Sequence, residues 1–303
     1  MLKIPFSRRE IAAAVLHCYP LYSGCGTLAN SALVRRFTPD SNDHVWAKGP
    51  GGYHVLAPLD DYVGRAVYYV GDLDRKVSWV CSRLVKSGDT VLDIGANIGL
   101  VTMHLSSLVG NLGKVHSFEP NPYLNKNIEQ AIAYNRITNV RLHKIGLGEF
   151  DQELRLSVPV GNTGAASFVP DGSLAESLLI RVPVRPLTDV ASEEKIEKID
   201  FIKIDVEGYE PQVLRGGSDL LERCRPRAII FELNQTGIPP QEHPTIQILR
   251  SMNYRFYTLP KQLLKMRAEA WDPDSPKPLT SHDLVASPAG QNYEQVGAFL
   301  SAH

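Results

Sequence analysis

A short glycine-bearing segment is followed, about one helix and one strand later, by a single acidic residue. The segment runs from Asp93 to Gly99, and the acidic residue is Glu119. Glycines allow a tight turn and a close approach of a ligand, and a helix that begins there offers free N–H groups to an anion. An acidic residue at the end of the next strand accepts hydrogen bonds from ribose hydroxyls. The spacing therefore predicts a nucleoside site with an adjoining anion site.

The same segment departs from the dinucleotide-binding fingerprint. That fingerprint reads G-x-G-x-x-G, and its middle glycine admits a pyrophosphate. Here Asn97 occupies the middle position and Gly99 comes one residue early. We therefore expect a nucleoside ligand without a pyrophosphate, and a nicotinamide-dependent oxidoreductase or epimerase is the alternative.

Three carboxylates lie within six residues directly after another predicted strand. They are Asp205, Glu207 and Glu210. Like charges this close raise one another's pKa values, which suits a general base. Asp205 is our first candidate for the base and Glu207 the second. For Glu210 we favour a structural role, in which it begins the next helix together with Pro211.

Other polar residues offer weaker candidates. Glu232 and Asn234 end the next predicted strand, where they could complete a polar wall for an acceptor or a magnesium ion. No ligand spacing demands a metal, and the four cysteines and nine histidines are scattered. We therefore expect no metal. His116 is expected to pack in the interior, whereas His54 and His143 are possible bases.

An alternation of strands and helices that begins near Val77 must position these residues. Such an alternation predicts an α/β fold with a doubly wound, mostly parallel sheet. Ligands of these sheets lie beyond the carboxyl ends of the strands, where the candidate residues fall. The predicted strands are Thr90–Ile94, Lys114–Phe118, Val140–Ile145, Phe201–Val206, Ala228–Leu233 and Tyr254–Tyr257.

Two regions interrupt this alternation. Glu153–Val158 and Leu178–Val184 alternate with period two, which predicts an inserted antiparallel hairpin. Residues 1–75 are rich in Gly, Pro and aromatic residues, and we expect an N-terminal extension that wraps the sheet or caps the site. Residues 76–303 then form the main domain.

Three strings together resemble the FkbM family of methyltransferases. They are VLDIGANIG at 91–99, FEPNP at 118–122 and KIDVEGYE at 203–210. The resemblance covers about residues 65–260. It implies a class I methyltransferase (Rossmann-like) fold, S-adenosylmethionine as cofactor and, most often, a hydroxyl oxygen as acceptor.

The resemblance also implies a role for each residue at the strand ends. Gly95, Asn97 and Gly99 would contact the methionine end of the cofactor, and Glu119 would hold its ribose. Asp93 would help to orient the loop. The residues implied to form the cofactor site are Tyr69, Asp93, Gly95, Asn97, Gly99, Glu119 and Pro120.

Two further elements are similar to parts of the family. Tyr69 belongs to an aromatic, glycine and acidic element, and it could shield the sulfonium or be a plain core tyrosine. Asp74 stands where the family more usually has glutamate. Residues 162–167 resemble a loop over the acceptor side, and their small side chains suit either a lid or a long hairpin connection.

The composition and the net charge exclude some classes of binding partner. The formal net charge of −1 lacks the basic footprint of a nucleic-acid binder, and the apolar runs are too short for a membrane span. The scattered cysteines indicate reduced thiols and a cytoplasmic protein. We therefore predict a methyltransferase that acts on a hydroxyl of a small molecule or sugar, with a carboxylate accepting the proton. A non-catalytic nucleoside-binding protein is another alternative, and the acceptor's identity, N-methylation and oligomeric state stay open.

Overall fold

The computed structural model describes residues 7–169, 177–233, 237–261, 264–275 and 278–301. The helices in these ranges are α1 (Arg8–Leu16), α2 (Cys25–Ala29), α3 (Ala32–Phe37), α4 (Tyr62–Val70), α5 (Arg75–Leu84), α6 (Leu100–Val109), α7 (Pro122–Tyr134), α8 (Leu187–Glu193), α9 (Glu210–Gly216), α10 (Ser218–Cys224), α11 (Pro244–Ser251) and α12 (Gln291–Ser301). The strands are β1 (His44–Lys48), β2 (His54–Pro58), β3 (Thr90–Ile94), β4 (Lys114–Phe118), β5 (Val140–His143), β6 (Gly146–Leu147), β7 (Gln152–Pro159), β8 (Ser167–Val169), β9 (Ser177–Arg185), β10 (Phe201–Ile204), β11 (Ala228–Glu232), β12 (Tyr254–Thr258), β13 (Glu269–Trp271) and β14 (Asp283–Pro288).

The largest sheet of the described residues has the strand order β5-β4-β3-β10-β11-β14-β12-β13. Neighbours from β5 to β11 are parallel, and β14 runs antiparallel between β11 and β12. The strand order reverses its direction of growth at β3, so the carboxyl ends of β3, β4 and β10 meet at the switch point where such sheets bind ligands. This is an α/β fold with a doubly wound, mostly parallel sheet, as predicted.

Helices cover both faces of this sheet, which explains the nearly continuous apolar sequence of its central strands. One buried cluster joins the sheet to α8, α9, α10 and α11, and another joins it to α5, α6 and α12. Two charged residues interrupt the apolar strands. Asp93 and Lys203 are register partners in β3 and β10, and both are buried. The only charges inside these two strands therefore face each other.

The predicted strands of the main sheet are confirmed, and two of them have the predicted bounds. Strands β5, β10 and β11 end one or two residues earlier than expected. In β10 the reason is local, because the chain turns after Ile204 and reaches a left-handed conformation at Glu207, with a φ of 50°. Helix α7 begins at Pro122, and the side chain of the preceding Asn121 accepts a hydrogen bond from the N–H of Tyr123.

The predicted hairpin insertion is also confirmed. Strands β7 and β9 pair antiparallel over their whole length and form a four-stranded sheet in the order β6-β9-β7-β8. Strands β6 and β8 were not predicted, because each is too short to show a period. Phe168 in β8 packs edge-to-face on Tyr209, at 4.7 Å between ring centres. The inserted sheet therefore contacts the turn that carries the candidate bases.

The N-terminal segment packs directly on the main sheet's helices. Val55 and Val67 share a buried cluster with Ile98, Met103 and Ile128, which belong to the elements that follow β3 and β4. This packing places the N-terminal segment beside the glycine segment, while the domain boundary near residue 75 stays a prediction. Among the described residues, no helix is both long enough and apolar enough for a membrane span.

Candidate active site

A cavity of about 710 Å³ opens at the carboxyl ends of β3, β4, β10 and β11. Its wall includes residues 95–98 of the glycine segment, Glu119, Pro120, Asp205 and Glu207, so the structure brings these residues together. Residues 22–27 and 162–166 also contribute to the wall. The cavity is therefore enclosed by parts of the N-terminal segment and of the inserted sheet.

The glycine segment is a tight turn supported from below by buried charges. Lys203 Nζ donates a hydrogen bond to the carbonyl of Gly95 at 2.6 Å and lies 3.4 Å from Asp93 Oδ1. Thr102 Oγ1 donates to Asp93 Oδ2 at 2.5 Å. Burial disfavours the ammonium of Lys203, yet Asp205 and Asp93 raise its pKa above the ordinary value. Asp93 thus lies beneath the loop, consistent with the orienting role implied by the family resemblance.

The conformation of the segment requires glycine at its first turn. Gly95 has a φ of 78°, and an added Cβ would lie 1.9 Å from the carbonyl oxygen of Asp205. Asn97 has a φ of 53°, a left-handed conformation that asparagine tolerates better than most residues. The segment therefore touches the turn after β10, and a side chain at position 95 would separate them.

Glu119 closes the nucleoside side of the cavity. Its Oε2 accepts the N–H of Asn97 at 2.7 Å, and its Oε1 accepts the N–H of Asn121 at 2.9 Å. Burial raises the pKa of this carboxyl to about 7, although both N–H groups favour the charged form. A carboxylate has about four acceptor positions, so both oxygens retain capacity for a second donor. This geometry fits a pair of ribose hydroxyls.

The carboxylates after β10 have different surroundings. Asp205 Oδ2 lies 3.5 Å from Lys203 Nζ, and its side chain is 49% exposed. Glu207 is half-buried, and burial, followed by the charges of Asp205, Glu232 and Glu210, raises its pKa to about 7. Glu207 therefore changes its protonation state near neutral pH, as a general base requires.

Glu210 has the structural position favoured from the sequence. It is the first residue of α9, and its Oε1 accepts the N–H groups of Val206 and Gly208, both at 3.3 Å. Burial raises the pKa of its carboxyl to about 7. Because Glu210 is 1% exposed and binds the turn's backbone, it fixes the turn that carries Asp205 and Glu207.

The far wall contains an ion pair that the sequence did not reveal. Lys76 Nζ contacts Asp283 Oδ2 and lies 3.6 Å from Asp74 Oδ2, and all three residues line the cavity. Asp283 is the register partner of Glu232 in the neighbouring strand. Glu232 also lines the cavity, whereas Asn234 lies outside the described residues. Neither Lys76 nor Asp283 belongs to a recognisable motif, since 207 residues separate them.

Tyr69, like Asp93 and Gly99, is a predicted cofactor residue that does not line the cavity. Its side chain is fully buried in a cluster with Ala12, Cys25 and Ala29. Helix α4 turns this face toward α1 and α2, so the plain core tyrosine is the arrangement observed. The guanidinium of Arg65 lies 5.0 Å from the centre of its ring.

The histidines proposed as bases also lie elsewhere. His143 stacks on Phe118 at 4.5 Å between ring centres, and its Nε2 is 3.1 Å from Nδ1 of His116. Burial lowers the pKa of both imidazoles to about 4. His116 is packed as predicted, and His54 packs edge-on against Tyr134. In the part of the chain that the structure describes, no group of three or more His, Cys, Asp or Glu is arranged to hold a metal ion.

Comparison with known proteins identifies the family. The family model for the "Methyltransferase FkbM domain" matches residues 93–256. The chain belongs to this family. Its cofactor is S-adenosylmethionine.

Individual relatives in the FkbM family are distant. Methyltransferase 1 of Beauveria bassiana is 25% identical over 146 residues, which are 43% of this chain and 58% of that protein. The 31-O-demethyl-FK506 methyltransferase FkbM of Streptomyces tacrolimicus is 27% identical over 50% of this chain and 67% of its own length. The crystal structure of Methyltransferase FkbM from Methylobacillus flagellatus aligns over 92% of this chain and 59% of that chain, at 16% identity and a TM-score of 0.42.

Proposed function

We propose that the protein transfers a methyl group from S-adenosylmethionine to a hydroxyl oxygen of a small molecule or sugar. One observation carries this proposal: a single cavity is lined by the glycine segment and Glu119 on one side and by Asp205 and Glu207 on the other. The name of the Streptomyces relative, a 31-O-demethyl-FK506 methyltransferase, supports oxygen as the acceptor atom.

The donor side holds the cofactor mainly through backbone groups. When bound, S-adenosylmethionine supplies a methyl group attached to a positively charged sulfur. Glu119 would accept hydrogen bonds from the ribose of this cofactor, and Gly95, Asn97 and Gly99 would hold its methionine end. Methyl transfer needs alignment of the two reactants and exclusion of water, and an enclosed cavity provides both. We assign this machinery to residues 76–303 and a covering role to residues 1–75, whose segment 22–27 lines the cavity.

Glu207 is the general base in this proposal. The acceptor oxygen would gain the methyl group as the methyl–sulfur bond of the cofactor breaks, and the hydroxyl proton would pass to the Glu207 carboxylate. A pKa of about 7 allows this group to be charged at working pH and still bind a proton as the oxygen attacks. Asp205, our first candidate from the sequence, becomes the second because it is paired with Lys203. Its role is to orient the acceptor beside the glycine segment.

The test of this function is a methyl-transfer assay. The protein is incubated with cofactor carrying a tritiated methyl group and with 31-O-demethyl-FK506, monosaccharides or primary amines. We expect label in hydroxyl acceptors and mass spectrometry to show the gain of one methyl group on oxygen. Transfer to amines alone would refute oxygen as the acceptor atom. Binding of S-adenosylhomocysteine with no product from any acceptor would favour a non-catalytic nucleoside-binding protein.

A further inference from the structure

The loop of the inserted sheet is attached to the N-terminal segment at one buried carboxylate. Asp61 Oδ2 accepts the N–H of Thr163 at 2.6 Å, and Tyr62 N–H donates to the carbonyl of Gly161 at 2.8 Å. The other oxygen of Asp61 accepts the N–H groups of Val63 and Gly64 and thereby caps α4. Asp61 is 3% exposed. One carboxylate therefore fixes both the start of a helix and a loop 102 residues away.

This loop lies directly over the glycine segment. Residues 162–166 line the same cavity as Asn97. A Cβ at Gly164 would lie 2.9 Å from Val63 Cγ2 and 3.7 Å from Asn97 Nδ2. The loop thus lies between α4 and the glycine segment, and the absence of a side chain at Gly164 permits this close approach. Asp61 itself is behind the cavity wall, so its carboxylate acts through the loop.

We propose that Asp61 is a positioning residue that holds the loop of residues 161–166 closed over the cofactor. The proposal rests on the proposed function for the identity of what is covered. A hydrogen bond to a buried carboxylate is stronger than one between neutral groups, so a single contact can keep a loop of small residues in place. The N-terminal segment would then control how easily the donor side opens.

The decisive variant is Asp61→Asn. Asparagine caps a helix as well as aspartate does, but its amide has only one oxygen and cannot serve both α4 and Thr163. Asp60→Asn is the matched control, because it removes the same charge from an exposed neighbouring side chain. Amide hydrogen exchange of residues 161–166 and the dissociation rate of S-adenosylhomocysteine are measured for both variants. Loss of one charge-assisted bond is expected to increase both rates about tenfold in Asp61→Asn. In Asp60→Asn we expect both rates to stay unchanged.

A second pair of variants tests the loop without altering the cap of α4. Gly164→Ala adds a methyl group against Val63 and should displace the loop, which again increases its exchange and speeds ligand release. Adding Val63→Ala should restore the protection, because it removes the atom that the methyl group meets. If Asp61→Asn does not fold, the same two rates are measured in Thr163→Pro, which removes the N–H that Asp61 accepts and leaves the cap of α4 intact.

Two outcomes would overturn the inference. One is a loop as protected in Asp61→Asn as in the wild-type protein, and the other is equal exchange in Gly164→Ala and in the double variant. Failure of the proposed function looks different: the wild-type protein would show no heat of binding with S-adenosylhomocysteine. In that case the exchange rates alone decide whether Asp61 holds the loop.

Discussion

The two sides of the cavity are built in different ways. The donor side comes mainly from one βαβ unit, and hydrogen bonds between its backbone and the side chains of Glu119 and Lys203 hold it together. The acceptor side in our proposal is formed by α2, α5, β11, β14 and the turn after β10, and its contacts include side-chain ion pairs such as that of Lys76 with Asp283.

This difference shows which properties can vary independently. A backbone network accepts few substitutions, because each N–H group must still reach its acceptor. A wall of side chains from several segments can be altered one residue at a time without disturbing the sheet. Binding of the cofactor and choice of acceptor should therefore respond to separate sets of mutations.

The largest expected effect is on the acceptor side. Glu207→Gln removes the proposed base, and we expect kcat to fall by about 10²–10⁴-fold while the affinity for S-adenosylhomocysteine is kept. Burial raises the pKa of Glu207 to about 7, and the base must be deprotonated, so the wild-type kcat should increase as pH rises through 7. Kinetics of Asp205→Asn is the comparison. A larger loss of kcat in Asp205→Asn than in Glu207→Gln would make Asp205 the first candidate for the general base.

The contact between the two sides of the cavity is tested at Gly95. In Gly95→Ala the new Cβ meets the Asp205 carbonyl oxygen at 1.9 Å and the residue keeps a positive φ. We expect a loss of about 2–5 kcal/mol in the free energy of unfolding, together with loss of cofactor binding. Gly88→Ala is the matched control, because Gly88 has a φ of 86° and no atom lies within 4 Å of the added Cβ. Equal losses in chemical denaturation would show that only backbone strain matters.

The donor side is tested at Glu119. Glu119→Ala removes the acceptor of the ribose hydroxyls and of two backbone N–H groups, and we expect affinity for S-adenosylhomocysteine to fall about 10–100-fold. Calorimetric titration measures the change, with Glu129→Ala, at an exposed position of α7, as control. Unchanged affinity in Glu119→Ala would contradict the ribose assignment and the separation of the two sides.

The smallest effect concerns the carboxyl that supports the turn. Burial raises the pKa of Glu210 to about 7, above its value near 4.5 in the unfolded chain. The folded protein therefore binds the proton more tightly, and this group's contribution to stability is lost as pH rises from about 4.5 to about 7. Glu210→Gln keeps an oxygen for Val206 and Gly208 but does not titrate. The quantity compared is the free energy of unfolding of Glu210→Gln minus that of the wild type, measured by urea unfolding. We expect this difference to be about 1–3 kcal/mol larger at pH 8 than at pH 5.

The donor side could be predicted from the sequence because its residues lie close together along the chain. The glycine segment and Glu119 are separated by one helix and one strand, and their order along the chain is itself informative. The alternation of apolar strands and helices likewise predicted β3, β4, β5, β10, β11 and β12 of the main sheet, because burial on both faces leaves a clear pattern.

The acceptor side could not be predicted for the opposite reason. Strand β14 inserts between β11 and β12 although it follows both in the chain, and only this placement brings Asp283 to Lys76. Tyr69 was ambiguous because an aromatic ring serves a core and a ligand equally well, and the orientation of α4 decides between them. Asp61 and Thr163 form their contact across 102 residues, with no motif at either end.

The stacked histidines of β4 and β5 have a consequence for acid tolerance. Their pKa values of about 4 in the folded protein lie below the unfolded value near 6.5, so the stability that they contribute is lost as pH falls through this interval. Two imidazolium ions cannot share a separation of 3.1 Å in a buried site. Acidification should therefore loosen the outer strand β5 first. Because β4 ends at Glu119, the carboxylate that we propose binds the ribose, acidification should weaken cofactor binding before the protein unfolds.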